Sequence, residues 1–203
     1  VHAQVSEISG NTFGTAGTAV DLRTGAIPSI LHAFTLDSTH FVVLYCISSK
    51  TYARVGSVSG TTITLGTELE VYGSSSYGIK GCMLDATHFI LARADSNYSS
   101  IYCCSVSGTT ITKGSSDVSV GNYGEKEQLD VSRLDSTHFV VSYATENQRR
   151  INTRVGSVSG TTITLGTESG NIFSNGSKIN NSSVVGIDST HFVVSSSFYR
   201  NAS

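Results

Sequence analysis

Fifteen residues, RVGSVSGTTITLGTE, stand at positions 54–68 and recur letter for letter at 154–168. A looser copy, CCSVSGTTITKG, lies between them at 103–114, and a worn one, VSEISGNTFG, at 5–14. A second motif alternates with the first: LDSTHF at 36–41, LDATHF at 84–89, LDSTHF at 134–139 and IDSTHF at 187–192. Leu36, Leu84, Leu134 and Ile187 are 48, 50 and 53 residues apart, and Gly10, Gly60, Gly108 and Gly160 are 50, 48 and 52 apart. A regular period of this length means stacked units, each too small to bury its apolar face alone.

The pattern inside a unit reads as strand throughout. A short apolar segment precedes each Asp-Ser/Ala-Thr-His turn, and a nearly continuous apolar run follows it, as in Phe41, Val42, Val43 and Leu44. Residues 53–59 then alternate, a Ser-Gly pair closes a hairpin, and the β-branched run TTIT supplies a fourth strand. No segment carries apolar residues every three or four positions, so helical repeats are excluded. Four strands in about 50 residues are the signature of a β-propeller blade.

The expected fold is therefore all-β: one four-bladed propeller spanning 1–203. Blade one takes residues 28–70, blade two 77–118 and blade three 127–168. The fourth is split, with its inner strands in 182–203 and its outer strands in 1–20. Residues 187–203 and 1–10 together number 27, the same as 134–160, so the two ends match in register. Left unmatched, either pair would expose a raw strand edge. Closure within one chain is the first expectation, because a tethered partner has the higher local concentration. Closure onto a neighbouring molecule would instead give a larger ring or a head-to-tail fibre.

Composition excludes several partners. Charged residues are 14% of the chain and the formal net charge is −2, so there is no basic surface for nucleic acid or an anionic membrane. No apolar run is long enough to insert in a membrane as a helix. A surface of Ser, Thr, Asn and Gly suits an extracellular β protein. The chain opens on Val1 with no visible leader, as a processed or partial product would. Four cysteines, Cys46, Cys82, Cys103 and Cys104, are too few for a disulfide scaffold; one bridge remains open, with no pairing assigned. Cys103 and Cys104 are adjacent on a strand, so they point to opposite faces.

Comparing the four internal copies separates constant from variable positions. The two short turn types, Asp-Ser/Ala-Thr-His and Ser-Gly-Thr-Thr, are nearly invariant and belong on one face. The connections at 46–52, 94–100, 144–150 and 195–203, and at 21–28, 71–78, 119–126 and 169–181, differ in length and chemistry. They belong on the opposite face, where a rigid scaffold would place recognition. That face holds Tyr72, Tyr77, Tyr98, Tyr123, Phe173, Phe198 and Tyr199 among hydroxyl and amide groups. Aromatic faces beside such groups stack on sugar rings and hydrogen-bond their edges, so carbohydrate is the expected ligand. The sequons at Asn97, Asn175, Asn180, Asn181 and Asn201 map to the same face and are glycosylation candidates.

Each copy also sets an aspartate three residues before a histidine: Asp37 with His40, Asp85 with His88, Asp135 with His138 and Asp188 with His191. A hydrolase needs one nucleophile, base and orienter, not four copies in tight turns. The expected role is structural, the carboxylate accepting turn N–H groups. Were the four turns to crowd a central channel, their carboxylates or imidazoles could ring a metal ion. No catalytic residue and no cofactor are expected.

The alternation of LDSTHFVV, VGSVSGTTIT and a Ser/Asn/Tyr-rich connector resembles a group of largely uncharacterised propeller-type repeat proteins. These occur in secreted or surface proteins of bacteria and in phage-like sequences. The resemblance covers almost the whole chain, and it implies a non-enzymatic extracellular propeller. The shared positions, among them Asp37, His40 and Gly60, are scaffold positions.

Overall fold

The structure is a computed structural model. It describes residues 1–25, 27–74, 76–95, 98–115, 117–122, 129–145, 149–170, 172–173 and 179–198, with the backbone alone at Asn122, Thr145 and Asn180. Every regular element among them is a strand, and all pairing is antiparallel. Among the described residues no helix is long and apolar enough to cross a membrane.

The chain opens with β1 (His2–Ala3), β2 (Ser6–Ser9), β3 (Thr12–Ala16) and β4 (Val20–Asp21), in which β2 pairs β3 and β1 pairs β4. The first full sheet is β5 (Ile30–Thr35), β6 (His40–Ile47), β7 (Lys50–Ser59) and β8 (Thr62–Leu65), with β9 (Leu69–Tyr72) returning to β7. The second repeats it: β10 (Gly78–Asp85), β11 (His88–Ala94), β12 (Tyr98–Ser107), β13 (Thr110–Lys113) and β14 (Val118–Asn122). The third is β15 (Leu129–Arg133), β16 (His138–Thr145), β17 (Arg150–Ser159) and β18 (Thr162–Leu165). The hairpin of β19 (Ile179–Gly186) and β20 (Phe192–Phe198) follows.

The hairpin joining β7 to β8 turns on Gly60 and Thr61, and Gly60 has φ +57°. A side chain is strained there, which is why all four copies keep glycine at this position. The connection from β6 to β7, expected as a loop over 46–52, is a two-residue turn instead. Ser48 and Ser49 both adopt positive φ, 50° and 65°, the pattern of a twist-matched hairpin. The connection expected over 71–78 likewise begins as strand, because β9 extends the outer edge of the first sheet. Gly66 interrupts that edge between β8 and β9.

The sheets stack in chain order, and the core lies between them. Val42, Leu44, Val55, Phe89, Leu91 and Cys104 fill the space between the first and second. Ile90, Cys103, Phe139, Val141 and Tyr143 fill that between the second and third. Cys103 and Cys104 thus enter different cores, as strand alternation requires. All four cysteines are free thiols. Burial pushes Cys82, Cys103 and Cys104 up to about 12, so none is a reactive thiolate.

Glycine lets neighbouring sheets touch through backbone. A Cβ on Gly66 would land on the Thr109 carbonyl of the second sheet, and one on Gly17 would land on the Thr61 carbonyl of the first. On Gly114 it would fall 2.9 Å from the Thr161 carbonyl of the third. Strands β5, β10, β15 and β19 form the inner row. His32 Nε2 lies 3.0 Å from the Gly81 carbonyl, and Val184 N–H and Ser183 Oγ donate to Asp130 Oδ2 at 2.9 and 2.8 Å. These four strands line one cavity of about 170 Å³, bordered by Leu31, His32, Lys80, Leu129 and Asn181. Among the described residues, β20 pairs with β19 alone and β2 with β3 alone, so the two terminal segments form separate sheets.

Candidate functional site

The Asp-Ser/Ala-Thr-His turns form one constant device. Asp37 accepts Thr39 N–H at 2.7 Å, Thr39 Oγ1 at 3.0 Å and His40 N–H at 2.8 Å, and His40 Nδ1 lies 2.9 Å from its second oxygen. Asp135 and Asp188 repeat all of these bonds with His138 and His191, and Asp85 repeats those to Thr87 and His88 Nδ1. The same turn carries the neighbouring hairpin, since Thr39 O, Thr87 O and Thr137 O accept Val58, Val106 and Val158 N–H at 2.7–2.8 Å. Both constant turn types therefore share one end of the stack.

No group of three or more His, Cys, Asp or Glu side chains able to hold a metal occurs among the described residues. The ring of carboxylates or imidazoles that crowded turns would supply is not formed. Each Asp–His pair stands alone at the end of its own sheet.

These bonds have an electrostatic signature. The Thr39 N–H, then the Thr39 hydroxyl and His40, hold the Asp37 carboxyl down at about 2, and Asp135 is held at about 2 in the same way. Asp188 is also lowered, chiefly by the Thr190 N–H; at Asp85 burial works against the shift and the Thr87 bonds still prevail. A carboxylate whose folded pKa is depressed stabilises the fold above its unfolded value, near 3.8, and that contribution disappears as pH falls through the folded value. Melting temperature should therefore fall between about pH 4 and pH 2. Asp37→Asn and Asp135→Asn should each flatten this acid limb, read by thermal melts from pH 2 to 5. An unchanged limb would show that the turns contribute nothing to acid stability.

The variable end is better ordered than its sequence suggests. Of the seven aromatic candidates, Tyr123 and Tyr199 lie outside the described residues. The other five are all placed at this end, but in three different environments. Tyr72 is half-buried, and its ring carries the Arg93 guanidinium 3.2 Å from its centroid, so that face is already occupied. Phe173 bridges to Ile151, and with Phe198 it packs on Ala144, Ile151 and Ile179, so both are core-facing. Tyr77 and Tyr98 are exposed, at 38% and 54%.

Those two tyrosines belong to one constellation. Tyr77 N–H donates to Ala94 O at 2.7 Å, while Asp95 N–H donates to Tyr98 O at 2.9 Å and Asp95 Oδ1 accepts Tyr98 N–H at 2.8 Å. Asp95 Oδ2 pairs with buried Arg93 at 2.9 Å. Tyr77 and Tyr98 thus stand exposed at one end of the second sheet, near a largely buried carboxylate fixed by a buried cation. Arg93 was not expected in the site. It interrupts the apolar run FILARA on β11, at the position held by Tyr45 and Tyr143 in the neighbouring sheets. Those tyrosines donate their hydroxyls to Glu68 and Glu168 instead.

Asn97, Asn175 and Asn201 lie outside the described residues. Asn180 and Asn181, expected in a loop, lie in β19, and Asn181 stands opposite Ser197. The strand begins earlier than the polarity of its residues suggests, because Ile179 is buried beneath it and anchors its start. No protein-family model matches this chain, and none of the curated proteins matches it.

Proposed function

We propose that this chain is a non-enzymatic extracellular β-propeller module for binding or adhesion, engaging carbohydrate on a cell or matrix surface through its variable end. The stacked sheets are its blades, and strands of the N-terminal segment complete the fourth blade beside β20. Convergence of β5, β10, β15 and β19 on one cavity supports this architecture. It needs no cofactor, nucleic acid or membrane insertion.

The observation that carries the binding reading is the exposed pair Tyr77 and Tyr98 at one end of the second sheet. Two exposed rings offer apolar faces to the C–H face of a sugar, and their phenol hydroxyls can bond its edge. The test is a glycan array followed by calorimetry on the best ligand. Tyr77→Ala with Tyr98→Ala should weaken affinity by about 10- to 100-fold, from roughly 1–3 kcal/mol of lost stacking, while leaving the melting temperature unchanged. Equal binding by the double variant would remove this site.

A second reading, a structural protomer of a glycosylated extracellular fibre, is favoured by apolar side chains left open at both ends of the stack. Ile8 and Phe13 are exposed at the N-terminal end, and Val185, Ile187 and Val193 at the other.

A further inference from the structure

The first, second and third sheets and the β19–β20 hairpin meet in three seams, and the last of these is built differently. Leu44, Ala53 and Ile79 share the core between the first and second sheets. Ala92, Ile101 and Leu129 share that between the second and third. The strand registers make these positions equivalent. Leu44 pairs with Ala53, Ala92 with Ile101 and Ser142 with Thr153, while Ile79, Leu129 and Ser182 stand opposite Arg93, Tyr143 and Ser196. At the seam between the third sheet and the hairpin, the three apolar residues are therefore replaced by Ser142, Thr153 and Ser182.

Two of these hydroxyls are buried without being bonded. Ser142 is 0% exposed and Ser182 is 4% exposed, and neither Oγ has a hydrogen-bond partner among the described residues. Hydroxyls in contact would bond each other, so a gap separates them. Left dry, that gap would cost each hydroxyl its hydration and would cost the lining its packing contacts. A single water removes both penalties, because it donates to one oxygen and accepts from the other. No other seam among the described residues sets two unpartnered hydroxyls against each other.

We propose that this seam encloses a bound water bridging Ser142 Oγ and Ser182 Oγ, and that the β19–β20 hairpin seated on it is the first part of the stack to detach. What else holds the hairpin lies at its margins. Asp130 Oδ2 and Ser132 Oγ accept the N–H groups of Val184 and Gly186, both at 2.9 Å, along the inner edge. Ile179 and Phe198 pack with Ala144 and Ile151 at the variable end. Between these margins the seam lacks the aliphatic contact that Leu44 and Ile79 supply. The other face of the hairpin repeats the substitution, since Ser195 takes the place of Leu44 and Ala92, and Val193 beside it is 53% exposed. Strands closing on that face would again meet a hydroxyl where the complete seams have a side chain of the core. Asn181 of β19 borders the cavity that the four inner strands share, so detachment takes away one of its walls. The hairpin is thus a gate on that cavity, and the inference stands on packing, whatever the ligand.

A mutant series in the full chain tests both parts. Ser142→Ala and Ser182→Ala, each alone, take one partner from the water and should lower the melting temperature by roughly 2–6 °C. Ser142→Ala with Ser182→Leu installs the residues of the second seam, displaces the water and should raise it by roughly the same amount. Single variants as stable as the parent, or more stable, would overturn the bound water, because deleting an unsatisfied hydroxyl relieves its cost. Native-state hydrogen exchange reads the detachment. Amides bonded between β19 and β20 should exchange at least about 10-fold faster than those bonded between β15 and β16, and the double variant should narrow the difference. Equal protection of the two sets in the parent would overturn the gate. Should the double variant fail to fold, the single variants and the parent's exchange still decide each part.

Discussion

Gly66→Ala should destabilise the protein by about 2–3 kcal/mol, while Gly166→Ala should cost only a few tenths. The two glycines sit in the identical fifteen-residue segment, so local propensity, strand pairing and turn chemistry are the same at both. They differ in what lies beyond them. The new methyl at 66 meets the Thr109 backbone carbonyl, which cannot rotate away, and the first and second sheets must part along their outer edge. At 166 the added atom meets a single carbonyl of its own sheet at 3.1 Å. For a chain of this size the first change corresponds to a fall of roughly 4–12 °C in melting temperature. Differential scanning calorimetry on dilute protein reads both. Equal shifts would mean that the sheets do not meet through these glycines.

Asp95→Ala should be more damaging still, about 3–5 kcal/mol, because it strands the Arg93 guanidinium without its anion. Arg93 is 2% exposed and is otherwise held by the Tyr72 ring and by the Tyr102 hydroxyl at 3.5 Å. Replacing the pair together, Arg93→Met with Asp95→Ala, should recover much of the loss, since no charge then remains buried. A double-mutant cycle by urea denaturation measures this coupling. Additive losses would show that Arg93 is solvated rather than paired. The same cycle bears on binding, because Asp95, held by Arg93, accepts the Tyr98 N–H and so helps to seat that residue.

The strand content was legible because alternation and turn chemistry agreed in every copy. Ser-Gly announced the hairpins, and Asp-Ser-Thr-His announced turns that the carboxylates do hold by accepting N–H groups. Burial was less legible, and the duplicated segment shows why. Val55 is fully buried and Val155 is 38% exposed, although the residues around them are identical. Solvent exposure here depends on the neighbouring sheet, which no local pattern encodes. The surroundings of the candidate aromatics were hidden for a related reason. Tyr72, Phe173 and Phe198 lie in polar stretches that look like loops, yet each packs on another sheet or closes a core. Ser48 and Ser49 carry no Asn-Gly signal, so their tight turn passed for a loop. The arginine within FILARA was the one visible anomaly, since a cation in a buried run requires an anion nearby.

The break that Gly66 and Gly114 make in the outermost strand of the first and second sheets has a consequence for solubility. The outer flank of these two sheets offers short strand pieces out of line with one another, not a long flat row of N–H and C=O groups. Such an interrupted border is a poor template for sideways recruitment of other chains, the route by which repetitive, serine-rich β proteins collapse into amyloid. A protein made of nearly identical strands is thereby guarded against disordered lateral clumping along that border.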